Sequence, residues 1–380
     1  MSDDQDPELL TAKEVAKLLR VSEPTLRNMR RTTALGKLEI PIGKRVRFSK
    51  QAVMKYIKGL NDESVPWVIP VGQLSIVSTK DRINLEVKED LFDLRGLQYI
   101  DPYGALSLLT HLIGRSKEGK RTELLINTSE ACKKLNFVGF FNCLEQFAPM
   151  VVWDKKILVG EKYFPPDSLL PITILRRKGE ERRAVEELNT LFIAQGFSED
   201  IGGYTGWLLG ELADNSLTHG GQTLSEKICF IQAQRYTIGE NAKCVIIAIA
   251  DLGQGIQDSL RSNPKYSNMS DALAVLSAFR HKVSSWDDTY NRGKGLTDIT
   301  SIAMGNQSMI RVSSSNIDFE LDFQTENKCE IIRVLPPLFK SRGTRFGFLY
   351  IDHKFKKKSR EEADDFLKKE IEKYEHLENE

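Results

Sequence analysis

One apolar run in the second half of the chain limits the available folds more than any other feature. Residues 245–250 read Val-Ile-Ile-Ala-Ile-Ala, a pattern typical of a strand buried on both faces. The run ends at Asp251, and Gly253 and Gly255 follow within four residues. Because glycine lets a backbone pass close to its neighbours, this pattern predicts a buried sheet with a carboxylate and a tight turn at one strand end.

A predicted helix before this strand carries a second group of polar side chains. Glu211 and Asn215 are four residues apart and therefore share one helix face, and His219 lies one turn further on that side. An amide oxygen can bind Mg²⁺, and a nearby carboxylate can act as a general base toward a group that attacks a phosphate. The side chains expected to pack on the opposite face are Trp207, Leu208, Leu209 and Leu212.

A third segment supplies a glycine turn before another helix. Gly293 and Gly295 precede a helix predicted to begin at Leu296, and Arg292 and Lys294 add positive charge there. The free N–H groups and the dipole of a helix N-terminus favour phosphate groups. The three segments together therefore predict a site for a nucleotide and its metal ion.

The segments, taken in this order, resemble the gyrase, chaperone, histidine kinase and MutL (GHKL) ATPase superfamily over about residues 170–352, and especially its anti-sigma serine kinase branch. The resemblance implies a Bergerat-type α/β sandwich that binds ATP and Mg²⁺. It implies that Glu211 is the general base, Asn215 the magnesium ligand and Asp251 the adenine anchor, with residues 284–292 as a lid. The other nucleotide contacts it implies are His219, Gly253, Gly255, Arg292, Gly293, Lys294, Gly295, Leu296 and Thr344.

The N-terminal part of the chain is strongly basic. Residues 9–60 contain thirteen Lys or Arg against three acids, which indicates a polyanionic partner. Thr11 and Glu14 form a predicted capping box, and Ser22 is the N-cap of a second short helix. Two short helices with a tight turn between them predict a helix-turn-helix, and a basic β-hairpin follows it.

This basic module resembles winged helix-turn-helix domains of the excisionase/MerR type, and the resemblance implies binding to double-stranded DNA. The second helix would lie in the major groove and the hairpin would contact the backbone or the minor groove. The side chains expected at the DNA are Thr25, Arg27, Asn28, Arg30, Arg31, Lys44, Arg45 and Arg47.

Residues 69–165 alternate short strands with helices. Over about residues 69–150 this segment resembles the STAS domain of anti-anti-sigma factors, in which a serine of an Asp-Ser-Ser-Gly turn is phosphorylated. The corresponding turn here is Asp101-Pro102-Tyr103-Gly104, and neither position between the acid and the glycine is serine. The resemblance therefore implies a STAS-like α/β domain that binds a protein partner rather than a phosphorylation switch.

The remaining segments complete the predicted organisation. Residues 1–8 are expected to be disordered, residues 61–68 to form a linker, and residues 353–380 to form a charged helical tail that packs on the body or pairs with another chain. Within residues 170–352 the predicted order is helix, helix, strand, strand, helix, glycine loop, helix and three strands. The acidic N-terminus, the lack of an eighteen-residue apolar run and the five scattered cysteines predict a cytoplasmic protein with reduced thiols and no membrane contact.

The sequence thus predicts a multidomain α/β protein with three modules. The first hypothesis is an ATP-binding, DNA-binding regulator in which the GHKL module switches the helix-turn-helix and STAS-like scaffold, with a homodimer as one possible form. An alternative is an anti-sigma-factor-like serine/threonine protein kinase that acts on a separate STAS-type partner. A third is a scaffold that binds ATP for stability alone. The residues leave open whether the protein hydrolyses ATP or transfers its phosphate.

Overall fold

The computed structural model describes most of the chain as a multidomain α/β structure. The described residues are 9–18, 26, 39–42, 45–50, 53, 73–76, 90–163, 168–194, 196–197, 199–219, 227–238, 242–285, 295–323, 332–335, 339–351 and 358–379.

The N-terminal module contains a small antiparallel sheet. Its elements are β1 (Leu9–Thr11), α1 (Ala12–Leu18), β2 (Glu39–Ile42) and β3 (Arg45–Ser49), with the strand order β1-β3-β2. The capping box at the start of α1 is present: Glu14 N donates to Thr11 Oγ1 at 3.2 Å, and Thr11 N donates to Glu14 Oε2 at 2.7 Å. Strands β2 and β3 pair at the predicted hairpin, whereas the three-residue strand β1 was not predicted.

The described residues of the middle segment combine short parallel strands with three helices. Its elements are β4 (Gln73–Leu74), β5 (Leu91–Asp93), β6 (Tyr99–Ile100), α2 (Pro102–Lys117), β7 (Thr122–Leu125), α3 (Glu130–Phe137), α4 (Phe140–Phe147), β8 (Val151–Trp153) and a 3₁₀ turn (Lys155–Leu158). Strands β5, β7 and β8 form one parallel sheet, and β4 pairs with β6. Asp101 caps α2, because its side chain accepts a hydrogen bond from Gly104 N at 2.8 Å.

In the residues that the structure describes, the C-terminal part is built on a seven-stranded antiparallel sheet with the order β14-β13-β12-β15-β11-β10-β9. The strands are β9 (Ser168–Leu175), β10 (Cys229–Ile238), β11 (Ala242–Asp251), β12 (Met309–Ser314), β13 (Ile317–Asp322), β14 (Ile332–Leu335) and β15 (Thr344–Ile351). The helices are α5 (Glu180–Ala194), α6 (Glu199–His219), α7 (Ile256–Arg261), α8 (Asp271–Ala278), α9 (Gly295–Asn306) and α10 (Arg360–Asn379), with a 3₁₀ turn at Pro264–Tyr266.

The predicted element order was wrong at both ends of this part and in its middle. Among the described residues, β9 precedes the first helix, two helices rather than one follow β11 before residue 295, and four strands rather than three follow α9. Strand β9 contains Pro171, which argues against a central strand, but β9 lies at the sheet edge, where a missing N–H is tolerated. Strand β14 lies at the other edge and has four residues, too few to give a clear alternation.

The alternation of side chains along β11 defines two faces of this sheet. Val245, Ile247 and Ile249 point into a core formed with α5, α6, α9 and α10, which we call the front face. Ile246 and Ala248 point into a second core shared with the middle segment, which we call the rear face. Helix α2 packs directly on β10, β11 and β15. The predicted strand is therefore buried on both sides, and the core of the middle segment is continuous with the sheet.

A buried ion pair joins the middle segment to the rear face. Arg311 of β12 donates to Asp318 Oδ1 at 3.1 Å and to Asp318 Oδ2 at 2.6 Å, and both side chains have 0% exposure. A third guanidinium nitrogen of Arg311 donates to Ile76 O at 2.8 Å, and the Tyr103 ring lies 5.3 Å from the guanidinium carbon. The Asp101–Gly104 turn therefore faces the sheet rather than solvent.

The C-terminal helix packs on the body of the protein. Ala363, Leu367 and Ile371 of α10 are buried, and Asp364 pairs with Arg280. Of the two roles considered for this segment, the structure shows the intramolecular one.

The four cysteines among the described residues are free and buried. None of the helices in the described part of the chain has the length and apolarity that crossing a bilayer requires.

Candidate functional site

A cavity of about 560 Å³ opens on the front face, beside the ends of β11 and β15. Its apolar wall includes Ile249, Leu260 and Phe346. Seven of the residues predicted individually to bind or act on the nucleotide line it, and they come from two helices, two strands and a loop: Glu211, Asn215, Asp251, Gly255, Gly295, Leu296 and Thr344. Ser284 and Ser285, the described residues of the predicted lid, line it as well. A volume of this size and a mixture of apolar walls with a few polar groups are typical of small-molecule sites.

Asp251 is the last residue of β11 and is 6% exposed. Its Oδ1 accepts hydrogen bonds from Gly253 N at 2.9 Å and from Thr344 N at 3.1 Å. Burial raises the pKa of this carboxyl group, and the two backbone donors act in the opposite direction. The backbone at two neighbouring strand ends thus fixes the carboxylate at the cavity wall. Gly253, which was predicted to contact the nucleotide, supports Asp251 and does not line the cavity.

Gly255 forms the turn between β11 and α7. Its φ angle of +88° is in the region that favours glycine, and a Cβ atom there would lie 2.9 Å from Ser314 Oγ. Ser314 Oγ also accepts a hydrogen bond from Ile256 N at 2.8 Å and donates to Gln257 Oε1 at 2.5 Å. The glycine therefore allows the loop after Asp251 to lie against the end of β12.

Glu211 and Gly295 are in direct contact at the cavity wall. A Cβ atom on Gly295 would lie 2.4 Å from Glu211 Oε2, so the glutamate side chain uses the space that glycine leaves. Burial raises the pKa of Glu211, and the negative charges of Asp214 and Asp298 raise it further. A carboxylate with a raised pKa is a stronger base at neutral pH, which suits the role expected for Glu211.

Two cations at the rim of the cavity were missed from the sequence. Lys178 pairs with Asp214, and Arg360 makes a bidentate pair with Asp298. Lys178 and Arg360 both line the cavity, and their charges oppose the rise in the pKa of Glu211. Lys178 lies in a loop before α5 and Arg360 in the segment predicted as a tail, and neither belongs to a motif.

The prediction for Trp207 was wrong. Its neighbours Leu208, Leu209 and Leu212 are buried as expected, but Trp207 is 36% exposed and lines the cavity. It lies four residues before Glu211 on the same helix, so it projects toward the side on which the polar residues lie.

Several predicted site residues lie outside the described part of the chain. They are Arg292, Gly293, Lys294 and residues 286–292 of the predicted lid, together with Thr25, Arg27, Asn28, Arg30, Arg31 and Lys44. His219 is the last residue of α6 and Arg45 is the first residue of β3, but the structure does not describe their side chains. Arg47 of β3 is half-buried and donates to Val46 O at 3.2 Å.

The charged residues of the cavity do not form a complete metal cage. No group of three or more His, Cys, Asp or Glu side chains in the described ranges could hold a metal ion. Mg²⁺ usually keeps several waters and substrate oxygens in its shell and needs few protein ligands. The residues present are therefore compatible with Asn215 as a ligand to a magnesium ion that arrives with a phosphate compound.

The N-terminal module has a counterpart among known protein families. Residues 9–61 match a helix-turn-helix domain model. No curated protein and no solved structure matches the chain. The chain therefore carries an N-terminal helix-turn-helix domain, as the sequence predicted over residues 9–60, and a domain of this type supports DNA-binding regulation.

Proposed function

We propose that this protein is a DNA-binding regulator whose state is set by ATP bound in the front-face cavity. The helix-turn-helix domain supports the DNA-binding part. The nucleotide part rests on one observation: Glu211, Asp251 and Gly295 lie far apart in the sequence and line the same cavity. In this proposal the domain carries a wing, as excisionase-like domains do, and the C-terminal part is a GHKL-type module.

The proposed roles follow from the chemistry of each group. Asp251 accepts a hydrogen bond from the exocyclic amine of adenine, and its fixed Oδ1 sets the orientation of the base. The phosphates lie toward Gly295, where the first N–H groups of α9 favour negative charge. Asn215 supplies an amide oxygen to Mg²⁺, which when bound neutralises charge on the phosphates.

Glu211 is the proposed general base if ATP is hydrolysed. It takes a proton from a water molecule whose oxygen attacks the terminal phosphorus, and the bond from that phosphorus to the bridging oxygen breaks to release ADP. The half-buried position of Glu211 and its raised pKa suit this step.

The rear face offers a physical link between the cavity and the middle segment, which follows the DNA-binding domain in the sequence. Gly255 lies against Ser314 at the end of β12, and Arg311 of the same strand holds Ile76 O. Ile76 belongs to the first described part of the chain after the helix-turn-helix domain. A displacement of the Gly255 loop by a nucleotide would therefore act on the strand that anchors the middle segment.

The proposal is tested with the full-length protein and a double-stranded DNA selected by it from a random library. We expect heat of binding with ATP and Mg²⁺, and a change in DNA affinity at saturating ATP measured at fixed salt concentration. Glu211→Gln should retain ATP binding and lose phosphate release, whereas Glu186→Gln on the exposed side of α5 should change neither. Absence of binding heat with ATP would contradict the proposal.

The same samples separate the regulator from the kinase alternative. ATP labelled on its terminal phosphate is followed into free phosphate and into protein, with candidate STAS-type partners added. Transfer of label to a partner, abolished in Glu211→Gln, would favour the kinase.

A further inference from the structure

Helix α10 forms part of the cavity wall rather than an independent tail. Its buried residues Ala363 and Leu367 pack in the front-face core, and Asp364 accepts hydrogen bonds from the Arg280 guanidinium and from His281 N at 2.7 Å. Ser359 caps the helix, since its Oγ accepts from Glu362 N at 3.0 Å. The first residue of α10 is therefore held at a defined position beside the cavity.

That first residue is Arg360, and its guanidinium forms two hydrogen bonds to the carboxylate of Asp298. Asp298 lies on α9, three residues after Gly295, and both Asp298 and Arg360 line the cavity with Glu211. The Arg360 side chain is 35% exposed and that of Asp298 is 18% exposed. The pair is thus near the proposed general base and open to a ligand from the cavity side.

We propose that Arg360 binds the terminal phosphate of the nucleoside triphosphate and leaves Asp298 when it does so; this inference rests on the proposed function. A guanidinium presents its donors in a planar fork that fits a phosphate as well as a carboxylate. Lys178 is the other cation that lines the cavity in the described part of the chain. Its side chain is 71% exposed, so water weakens its attraction to a phosphate more than that of Arg360. Arg360 is the better candidate for a second reason. If Glu211 is the base, the terminal phosphate lies near Glu211, and the charge of Arg360 acts on Glu211 more strongly than that of Lys178.

The exchange makes the C-terminal helix sensitive to the number of phosphates. ADP lacks the terminal phosphate, so Arg360 stays on Asp298 and α10 keeps its position. ATP offers a competing oxyanion, so the link between α9 and α10 is released. Asp298 therefore competes with the terminal phosphate for Arg360. As a result, Arg360 increases the preference for ATP over ADP and Asp298 decreases it.

The test compares the affinities for a nonhydrolysable ATP analogue and for ADP, both with Mg²⁺, by calorimetry on the full-length protein. Arg360→Gln should lower the analogue-to-ADP affinity ratio about tenfold, as expected for loss of a charged hydrogen-bonded contact. Asp298→Asn should raise the ratio about two- to fivefold, since the arginine loses its competitor. Lys369→Gln, an exposed cation on the same helix, should leave the ratio unchanged.

The outcomes distinguish this inference from the function on which it rests. If the wild type binds neither nucleotide, the proposed function fails and the inference fails with it. If the wild type binds both and the ratio stays constant in Arg360→Gln, only the inference is overturned. A purely structural pair would make Arg360→Gln and Asp298→Asn change both affinities in the same direction, and thermal unfolding of each variant shows whether it is folded.

Discussion

The two faces of the large sheet each carry a bidentate arginine–aspartate pair, and the two pairs have different surroundings. On the rear face, Arg311 and Asp318 are both completely buried. On the front face, Arg360 and Asp298 have side chains that are 35% and 18% exposed at a cavity. The chemical groups are the same, but of these two pairs only the front one is accessible from a cavity.

The difference shows how burial determines what a charged pair does. On the rear face Arg311 also donates to Ile76 O and lies over the Tyr103 ring. Its guanidinium therefore has all these partners within the protein and is not available to a ligand. Removing one partner there leaves an uncompensated charge inside the protein, which is costly. On the front face water can replace either partner, so the pair contributes little to stability.

The largest expected effect on stability comes from breaking the rear pair. Arg311→Gln should lower the free energy of unfolding by about 3–5 kcal/mol, because the Asp318 carboxylate is left buried without its partner. Urea unfolding at neutral pH measures the loss. Arg360→Gln is the matched control and should cost less than about 1 kcal/mol. Equal losses in the two variants would remove the distinction between the two faces.

A smaller effect concerns the acid at the rear turn. Burial raises the pKa of Asp101 to about 6, against the effect of hydrogen bonds from Gly104 N and Ile76 N. The unfolded chain releases this proton near pH 4, so between about pH 4 and pH 6 the folded state binds more protons and stability falls as pH rises. The expected loss through this group is about 3 kcal/mol, because each unit of pKa difference corresponds to about 1.4 kcal/mol.

The measurement is the free energy of unfolding at several pH values for the wild type and for Asp101→Asn. The variant cannot ionise, so the difference between the two curves should change across this interval and be constant above it. Parallel curves would show that Asp101 titrates alike in the folded and unfolded chain.

The smallest expected effect on stability is at Gly295 on the front face. An added methyl group meets only the flexible end of Glu211, so Gly295→Ala should change the free energy of unfolding by less than about 1 kcal/mol. It should nevertheless displace the Glu211 carboxylate and reduce ATP turnover about 100-fold, if Glu211 is the base. Phosphate release and thermal unfolding measure the two effects.

Gly203→Ala is the control, since a Cβ atom on that residue of α6 has no neighbour within 4 Å. It should preserve turnover. Full turnover in Gly295→Ala would show that the contact with Glu211 has no catalytic importance.

Local spacing in the sequence predicted the parts of the site that depend on a single element. The four-residue interval between Glu211 and Asn215 placed both on one side of α6, and the apolar run before Asp251 predicted a strand buried on both faces. The Thr11–Glu14 capping box was likewise correct, because its hydrogen bonds join residues three positions apart. Regular repeats and short-range hydrogen bonds are recorded in neighbouring residues and can be recognised there.

Contacts between distant elements were decided only by the tertiary structure. The Tyr103–Arg311 contact and the Arg360–Asp298 pair join residues far apart in the sequence, and no local pattern marks either one. Strand β9 was not predicted because it contains Pro171. Proline is tolerated in this strand only because β9 lies at the edge of the sheet. The sequence by itself therefore determined which face of each element is apolar or polar, whereas packing decided which faces meet, because side chains from separate segments must fill one common volume.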